Sequence, residues 1–360
     1  MMKRTFLKFV GILLAVMLGV IACRPASLPD SESSAPSAIA PEPATSTVTL
    51  NGTGADFPFF IYQRWFSDYN QQNPSVQINY QPTGSEVGIQ QILSKTIDFA
   101  GSDIGMTDED ISQVESGVLL LPMTAGGVAI AYNIPDIESG LQLPRSVYPD
   151  IFLGLITNWN DSRIADANPN LTLPDLPIVV VHRSDGSGTT ATLTRHLSAI
   201  SPSWNETVGQ GLSVSWPTGV AVKSNAGVSA QIQQAPGAIG YVEFSYAQQL
   251  GMSVAALENQ TGNFVPPSVD SAAIALSDLT LPDNLRAFAP DPAAAGAYPV
   301  STYSWLLAYQ QYDDPDKARA LKDLLQWCVD EGQQFSTELG YVPLPDAITQ
   351  RVADAIQTIQ

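Results

Sequence analysis

Between Val181 and Leu197 the chain reads VHRSDGSGTTATLTRHL: a permanent cation, a carboxylate and a run of glycine and hydroxyl residues ahead of a helical pattern. Such a stretch can cradle an anion, activate a serine, or turn a strand into a helix. Two further turns are of the same kind, NGTGADFP (51–58) and PTGSEVG (82–88), with GSDIG (101–105) close by. Each follows a strand-like run, and the first, second and last open a helix. A helix N-terminus carries unpaired N–H groups and a partial positive charge. Glycines let the backbone approach closely, and Ser or Thr hydroxyls add donors. Helix capping alone accounts for any one such turn; several in a chain poor in basic residues point to a small anion. In the third turn Arg183 can bind two oxygens at once, and Asp185 can hold the guanidinium in place. Ser187, Gly188 and Thr189 lie where the helix begins, although an N-capped helix with a surface salt bridge fits the same residues.

Enzyme chemistries fit less well. Gly186 and Gly188 flank Ser187 directly, so GSG is not a Gly-x-Ser-x-Gly nucleophile elbow. No Gly-x4-Gly-Lys-Ser/Thr phosphate loop occurs. His182 and His196 are the only histidines, and no HExxH or cysteine cluster is present, which leaves little for a metal site or a Ser-His hydrolase. No metal and no cofactor is expected. SDIGMTDEDIS lacks EF-hand spacing and reads as a helix capped by Thr107 with acids in its first turn.

These turns need elements to hold them. STVTLNGTGA reads as a strand, FPFFIYQRWFSDYNQQN as a helix, VQINYQP as a strand, SEVGIQQILSKTI as a helix and DFAGSD as a short strand. That βαβαβ rhythm predicts a parallel or mixed sheet covered on both faces, with ligands beyond the C-terminal strand ends. A second unit runs from the strand at Gly126–Asn133 through a helix around RSVYPDIFLGLITNWND, the strand PIVVVHR and the strand-to-helix passage PGAIGYVEFSYAQQ. Residues 258–297 are rich in Pro and Ala and locally uninformative. YPVSTYSWLLAYQ then reads as a strand and DPDKARALKDLLQWCVDEGQQFSTEL as a helix.

The N-terminus has Lys3, Arg4 and Lys8, then an apolar run ending at Cys23, the form of a secretory signal over residues 1–22. Val20-Ile21-Ala22-Cys23 fits a lipoprotein box, with Cys23 as the lipid anchor to a bacterial membrane. Residues 23–47 are Pro-, Ser- and Ala-rich and read as a disordered tether. Cys328, at helical spacing between Leu325 and Val329, reads as a small core residue. The net charge is −19, and removal of the three basic residues before Cys23 takes it to −22. That argues against nucleic acid, but not against an anion in a desolvated pocket, since net charge governs solubility and steering.

The turns in this order resemble the periplasmic phosphate-binding proteins of bacterial ABC transporters. NGTGADFP matches that family's first turn and GSEVG its second. FAGSD matches the strand ending in Gly-Ala-Ser-Asp, and RSDGSGT stands unaltered. IFLGLITNWND, WPTG, PGAIGYVE and GYVPLPDAI support the match, which spans residues 48–360. The resemblance implies a type II periplasmic-binding-protein fold: two α/β lobes, each a mixed sheet flanked by helices, with a hinge of two crossing strands. The expected lobes are 48–125 plus 302–360, and 126–301, hinged near Gly127–Tyr132 and Val300–Trp305. It implies high-affinity phosphate binding and delivery to an ABC permease with its ATPase subunits, no enzymatic step, a periplasmic or extracytoplasmic location, and a monomer.

Carried onto matching positions, the resemblance implies phosphate contacts from the Phe57 backbone, Ser85, Asp103, Arg183, Ser187, Gly188 and Thr189. Asp103 would accept the proton of a phosphate oxygen and so reject fully ionised sulfate. Asp56 stands where the family has Thr or Ser, and Glu86 where it has a small residue. Asp56 either caps the helix opened by Pro58 or adds a second acceptor that favours the doubly protonated monoanion H2PO4⁻, and Glu86 is expected to point to solvent. Alternatively the two acids impair the site, and phosphate binds weakly or a different oxyanion binds. The alternatives are a binder of another tetrahedral oxyanion, a regulatory phosphate paralogue, or, in a different class, a phosphoesterase, for which no metal or nucleophile constellation is found.

Overall fold

The computed structural model of the protein describes residues 47–360. The expected signal segment, Cys23 and all but the last residue of the expected tether lie outside the described residues. Among the described residues no helix is long and apolar enough to cross a membrane.

The chain opens with the expected unit: parallel strands β1 (Val48–Gly54), β2 (Val76–Pro82) and β3 (Phe99–Ser102), connected by α1 (Phe59–Gln72) and α2 (Ser85–Leu93). Helix α1 forms because its apolar residues recur every three to four positions, burying Ile61, Tyr62, Trp65, Phe66 and Tyr69. The short α3 (Asp108–Ser112) is capped as expected, the Thr107 hydroxyl accepting the N–H of Asp110.

Strand β4 (Val118–Tyr132) is buried along nearly all of its length and starts eight residues before the expected Gly126. Pro122 interrupts the apolar run and cannot donate to a ladder. The structure accommodates it in a bulge, where Thr124 pairs with Ser304 and Pro122 with Trp305, leaving Met123 as the extra residue. The helix expected around RSVYPDIFLGLITNWND shortens to α4 (Tyr148–Phe152), because Gly154 takes a φ of +73° and ends it.

Between these lie β5 (Gln142–Leu143) and, after α4, α5 (Ser162–Ala165). Then come β6 (Val179–Arg183), α6 (Gly188–Ile200), α7 (Pro202–Thr207), β7 (Val220–Val222), α8 (Ser224–Gln234), β8 (Ala238–Glu243) and α9 (Phe244–Gln249). Next come β9 (Ser253–Val254) and β10 (Ala256–Glu258), and the region without a sequence signal, residues 258–297, supplies β11 (Phe264–Val265) and α10 (Val269–Ser277). The chain ends with β12 (Ser301–Tyr309), α11 (Pro315–Asp330) and α12 (Asp346–Ile356). The helix expected to reach Leu339 stops at Asp330, and Gly332 begins two short 3-10 turns. Trp65 donates its indole N–H to the Gly332 carbonyl at 2.7 Å. Cys328 is buried in α11, as expected of a core residue.

The main sheet has the order β2-β1-β3-β12-β4-β8-β6-β7, with β9 also on β4, and β11-β10-β5 form a small second sheet. Strand β4 holds the two ends together. It is antiparallel to β12 through Gly127, and from Val128 to Tyr132 it pairs with β8 instead. Apolar residues from both sides fill the core, with Trp65, Trp159, Trp204 and Trp305 fully buried.

The C-terminal ends of β1, β2 and β3 carry the first three turns, and backbone bonds knit these together. The Gly54 carbonyl accepts the N–H groups of Thr83 and Gly84 at 2.9 and 2.8 Å, and the Ala55 N–H reaches the Gly101 carbonyl at 2.8 Å. Gly54 sits at φ +130°, and a Cβ there would lie 2.1 Å from the Gly101 carbonyl oxygen. Replacing Gly54 with alanine is therefore expected to cost about 2–4 kcal/mol of stability, read by denaturant unfolding. A loss well under 1 kcal/mol contradicts this account of the turn.

Candidate functional site

The turns converge. Ser85 opens α2, Asp103 follows β3, and Gly188 opens α6, yet a Cβ built on Gly188 would lie 2.5 Å from both Asp103 Oδ2 and Ser85 Oγ. Only glycine lets α6 come this close. Its backbone comes from β6, on one side of β4 in the sheet, while Ser85 and Asp103 come from the other. Ser187 caps α6 by accepting the Thr190 N–H at 3.2 Å, so its hydroxyl hydrogen is still available to donate. The N–H groups of Gly188 and Thr189 stand at the open end of the helix. They have no hydrogen-bond partner among the described residues.

Asp103 is buried. Its Oδ1 accepts the Ser304 hydroxyl at 2.8 Å and its N–H donates to Ser85 Oγ at 3.3 Å, but its Oδ2 has no partner among the described residues. An unpaired buried acceptor costs about 1–3 kcal/mol, and the buried Oε1 of Glu243 is a second such carboxyl oxygen among the described residues. Burial raises the Asp103 pKa to about 7. The Ser304 hydrogen bond opposes the rise, the Asp56 charge adds to it, and Arg183 opposes it.

Arg183 ends β6 with its side chain fully buried. Its Nε donates to Asp185 Oδ1 at 2.8 Å and its Nη2 to Asp185 Oδ2, the fork-to-fork pairing expected of Asp185. Burial disfavours the Asp185 carboxylate, but the Arg183 hydrogen bonds and charge outweigh it and hold the pKa below the usual range. Arg183 has a second carboxylate partner that sequence reasoning did not foresee. Its Nη1 donates to Asp56 Oδ1 at 2.9 Å. Burial works against the arginine's charge, yet Asp56 and Asp185 raise its pKa above the ordinary value.

Asp56 does not cap α1; no side chain does. Besides Arg183, its Oδ1 accepts from Asn225 Nδ2 at 3.3 Å, and its Oδ2 accepts the backbone N–H of Asn225, the second residue of α8. A helix cap competes poorly with a desolvated guanidinium plus a helix N-terminus. Glu86 is exposed as expected, but its N–H bonds the Gly186 carbonyl at 3.1 Å and its side chain lies over Gly186.

The Asp56–Phe57 peptide is held from β8 and α9. Tyr246 donates its hydroxyl to the Asp56 carbonyl at 3.0 Å, which turns the Phe57 N–H of that peptide the opposite way. Tyr341 donates to the Phe57 carbonyl at 2.8 Å and accepts from Ser245 Oγ at 2.9 Å, and Ser245 is bonded in turn to the buried Glu243. Asn225, Ser304, Tyr246, Tyr341 and Glu243 were missed from sequence. Two carried a signal: Ser304 is a hydroxyl inside an apolar strand, and Glu243 is an acid ending one.

The raised Asp103 pKa gives a signed expectation. The folded carboxyl holds its proton more tightly than the unfolded one, whose ordinary value is 3.8. Its contribution to ligand-free stability is therefore complete below that value and is lost as pH rises through about 7. Subtracting an Asp103→Asn unfolding curve from wild type across this range should expose the decline; a difference independent of pH contradicts it.

Known proteins bear on this geometry. A family model described as the PBP superfamily domain matches residues 40–331. The phosphate-binding protein PstS of Pasteurella multocida is 42% identical over 311 residues, 86% of this chain and 90% of that protein. The PstS of Xylella fastidiosa strain Temecula1 is 38% identical over 358 residues, 98% of each. Among solved structures, the phosphate binding protein of Stenotrophomonas maltophilia superposes with a TM-score of 0.69 at 20% identity, over 86% of this chain and 94% of that one. An ABC-type phosphate transport receptor from Vibrio cholerae gives 0.53 at 18%, over 82% and 100%. These likenesses bear out the expected two-lobe, type II periplasmic-binding-protein fold. With this identity maintained over most of its length, the chain belongs to the phosphate-binding protein PstS family of the PBP superfamily.

Proposed function

We propose that the protein binds inorganic phosphate between two lobes, 48–125 plus 302–360 and 126–301, and delivers it to a membrane ABC permease and its ATPase subunits. The lobes close about the strand segments Gly127–Tyr132 and Val300–Trp305, a reading supported by the switch of β4 from β12 to β8 at Gly127 and Val128. The protein acts as a monomer at the extracytoplasmic face of the membrane, tethered through lipid on Cys23. Relatives named phosphate-binding proteins support this reading.

One observation carries the ligand choice: the buried, unpaired Oδ2 of Asp103 beside Ser85 Oγ and the start of α6. Phosphate retains a proton at neutral pH and donates it to that oxygen. The N–H groups of Phe57, Gly188 and Thr189 and the hydroxyls of Ser85, Ser187 and Thr189 then point their hydrogens at the remaining oxygens, beside Arg183. Sulfate has no proton to donate, so above pH about 7, where Asp103 is ionised, its lone pairs face those of the carboxylate.

A phosphoesterase needs an activated nucleophile, and neither histidine hydrogen-bonds Ser187. Ser187 accepts from its own helix, His196 Nε2 accepts from the Tyr148 hydroxyl at 2.7 Å, and His182 Nδ1 lies 3.1 Å from the Arg183 carbonyl.

Calorimetry with phosphate and sulfate tests the reading. Phosphate should bind saturably and sulfate about 100-fold or more weakly; equal affinities contradict the role of Asp103. Gly188→Ala places a methyl against Asp103 and Ser85, and overpacking of this kind should weaken phosphate binding by about 10- to 100-fold. Unchanged affinity would show that the anion lies elsewhere.

A further inference from the structure

Asp56 occupies an unusual place for a carboxylate in an anion site. Its Oδ1 takes a donor of Arg183 and its Oδ2 takes the Asn225 N–H at the start of α8. A guanidinium and a helix N-terminus are the groups that proteins present to free anions. Asp56 is thus chemically a bound carboxylate anion, tethered to the turn after β1. The ion pair is desolvated, with the Arg183 side chain 0% and the Asp56 side chain 3% exposed, so water does not screen it. It also spans the molecule, because Asp56 follows β1 while Arg183 and Asn225 lie on the β6 and α8 side of β4.

Arg183 has little left to offer. Nε and Nη2 serve Asp185, and Nη1 serves Asp56 and, at 3.4 Å, Asn225 Oδ1. Asp103 after β3, which feels the charges of both Asp56 and Arg183, is again an acid. An incoming phosphate must either displace the Asp56 carboxylate from Arg183 and Asn225 or bring further negative charge beside it. Both weaken binding.

We propose that Asp56 is a built-in competitor of the anion: it bridges the cleft without ligand and sets a lower phosphate affinity than a hydroxyl residue at the same position would. This rests on the phosphate-binding reading above. It differs from the second-acceptor role expected from sequence, in which Asp56 would take a proton of the phosphate monoanion. Both carboxylate oxygens already accept from the protein, so neither needs a proton from phosphate.

The test compares the full chain with Asp56→Thr and Asp56→Asn, using phosphate calorimetry and ligand-free small-angle scattering, with thermal unfolding to verify that each variant is folded. Both variants should bind phosphate more tightly, by about tenfold or more. Ligand-free wild type should be as compact as the phosphate complex, whereas ligand-free Asp56→Thr should expand and contract only on adding phosphate. Unchanged or weaker affinity in both folded variants overturns the competition, and a ligand-free wild type as expanded as Asp56→Thr overturns the bridge. If none of the three proteins binds phosphate, the functional reading fails, and the scattering comparison alone decides the role of Asp56.

Discussion

Arg183 shares a desolvated space with Asp56, Asp185 and Asp103, and the way one buried cation divides itself among three carboxylates governs the rest of the site. Asp185 takes two of its donors and stays ionised below the usual range. Asp56 takes another and completes its shell at the start of α8. Asp103 receives no direct bond from the guanidinium and, buried beside Asp56, is pushed up to about 7. Chemically identical side chains thus reach opposite protonation behaviour through their surroundings. Removing Arg183 would leave Asp56 buried without a counter-charge, a penalty of about 3–5 kcal/mol in comparable sites, whereas without Asp56 the guanidinium keeps its two bonds to Asp185.

The same constraint explains how a chain of net charge −19 can present an anion site. The donors free to face a ligand are neutral: open N–H groups at the start of α6 and at Phe57, and the hydroxyls of Ser85, Ser187 and Thr189. Their dipoles are fixed by the backbone, and the backbone is fixed by glycines that accept contacts no side chain could. Tyr246 and Tyr341 hold the carbonyls on either side of Phe57, so the first turn is oriented from α9 and from the chain beyond α11 together. Net charge acts at long range through water, whereas these dipoles act at contact in a space with little screening.

Much of this was legible in the sequence. The turns at 51–58, 82–88 and 182–190 declared themselves by local chemistry, since glycine, a hydroxyl and a following amphipathic run need no distant partner to be recognised. The strands and helices around them followed from periodicity. What stayed hidden depends on partners far away in the chain. The start of β4 was masked by Pro122, whose tolerance rests on a bulge against β12. Asp56 looked like a helix cap or a ligand acceptor because its partner Asn225 lies 169 residues on, in a helix start with no distinctive composition. The shortened α4 shows the converse, where Gly154 at positive φ ended a helix that the apolar pattern would have continued.

The central claim is that the unpaired oxygen of Asp103 is the acceptor for the proton of a bound phosphate. A crystal structure of the protein with phosphate tests it most directly. The account predicts a phosphate oxygen at hydrogen-bond distance from Asp103 Oδ2, with Ser85 Oγ and the N–H groups of Gly188 and Thr189 donating to the same anion. A phosphate bound elsewhere, or bound with Asp103 Oδ2 still lacking a partner, would contradict it.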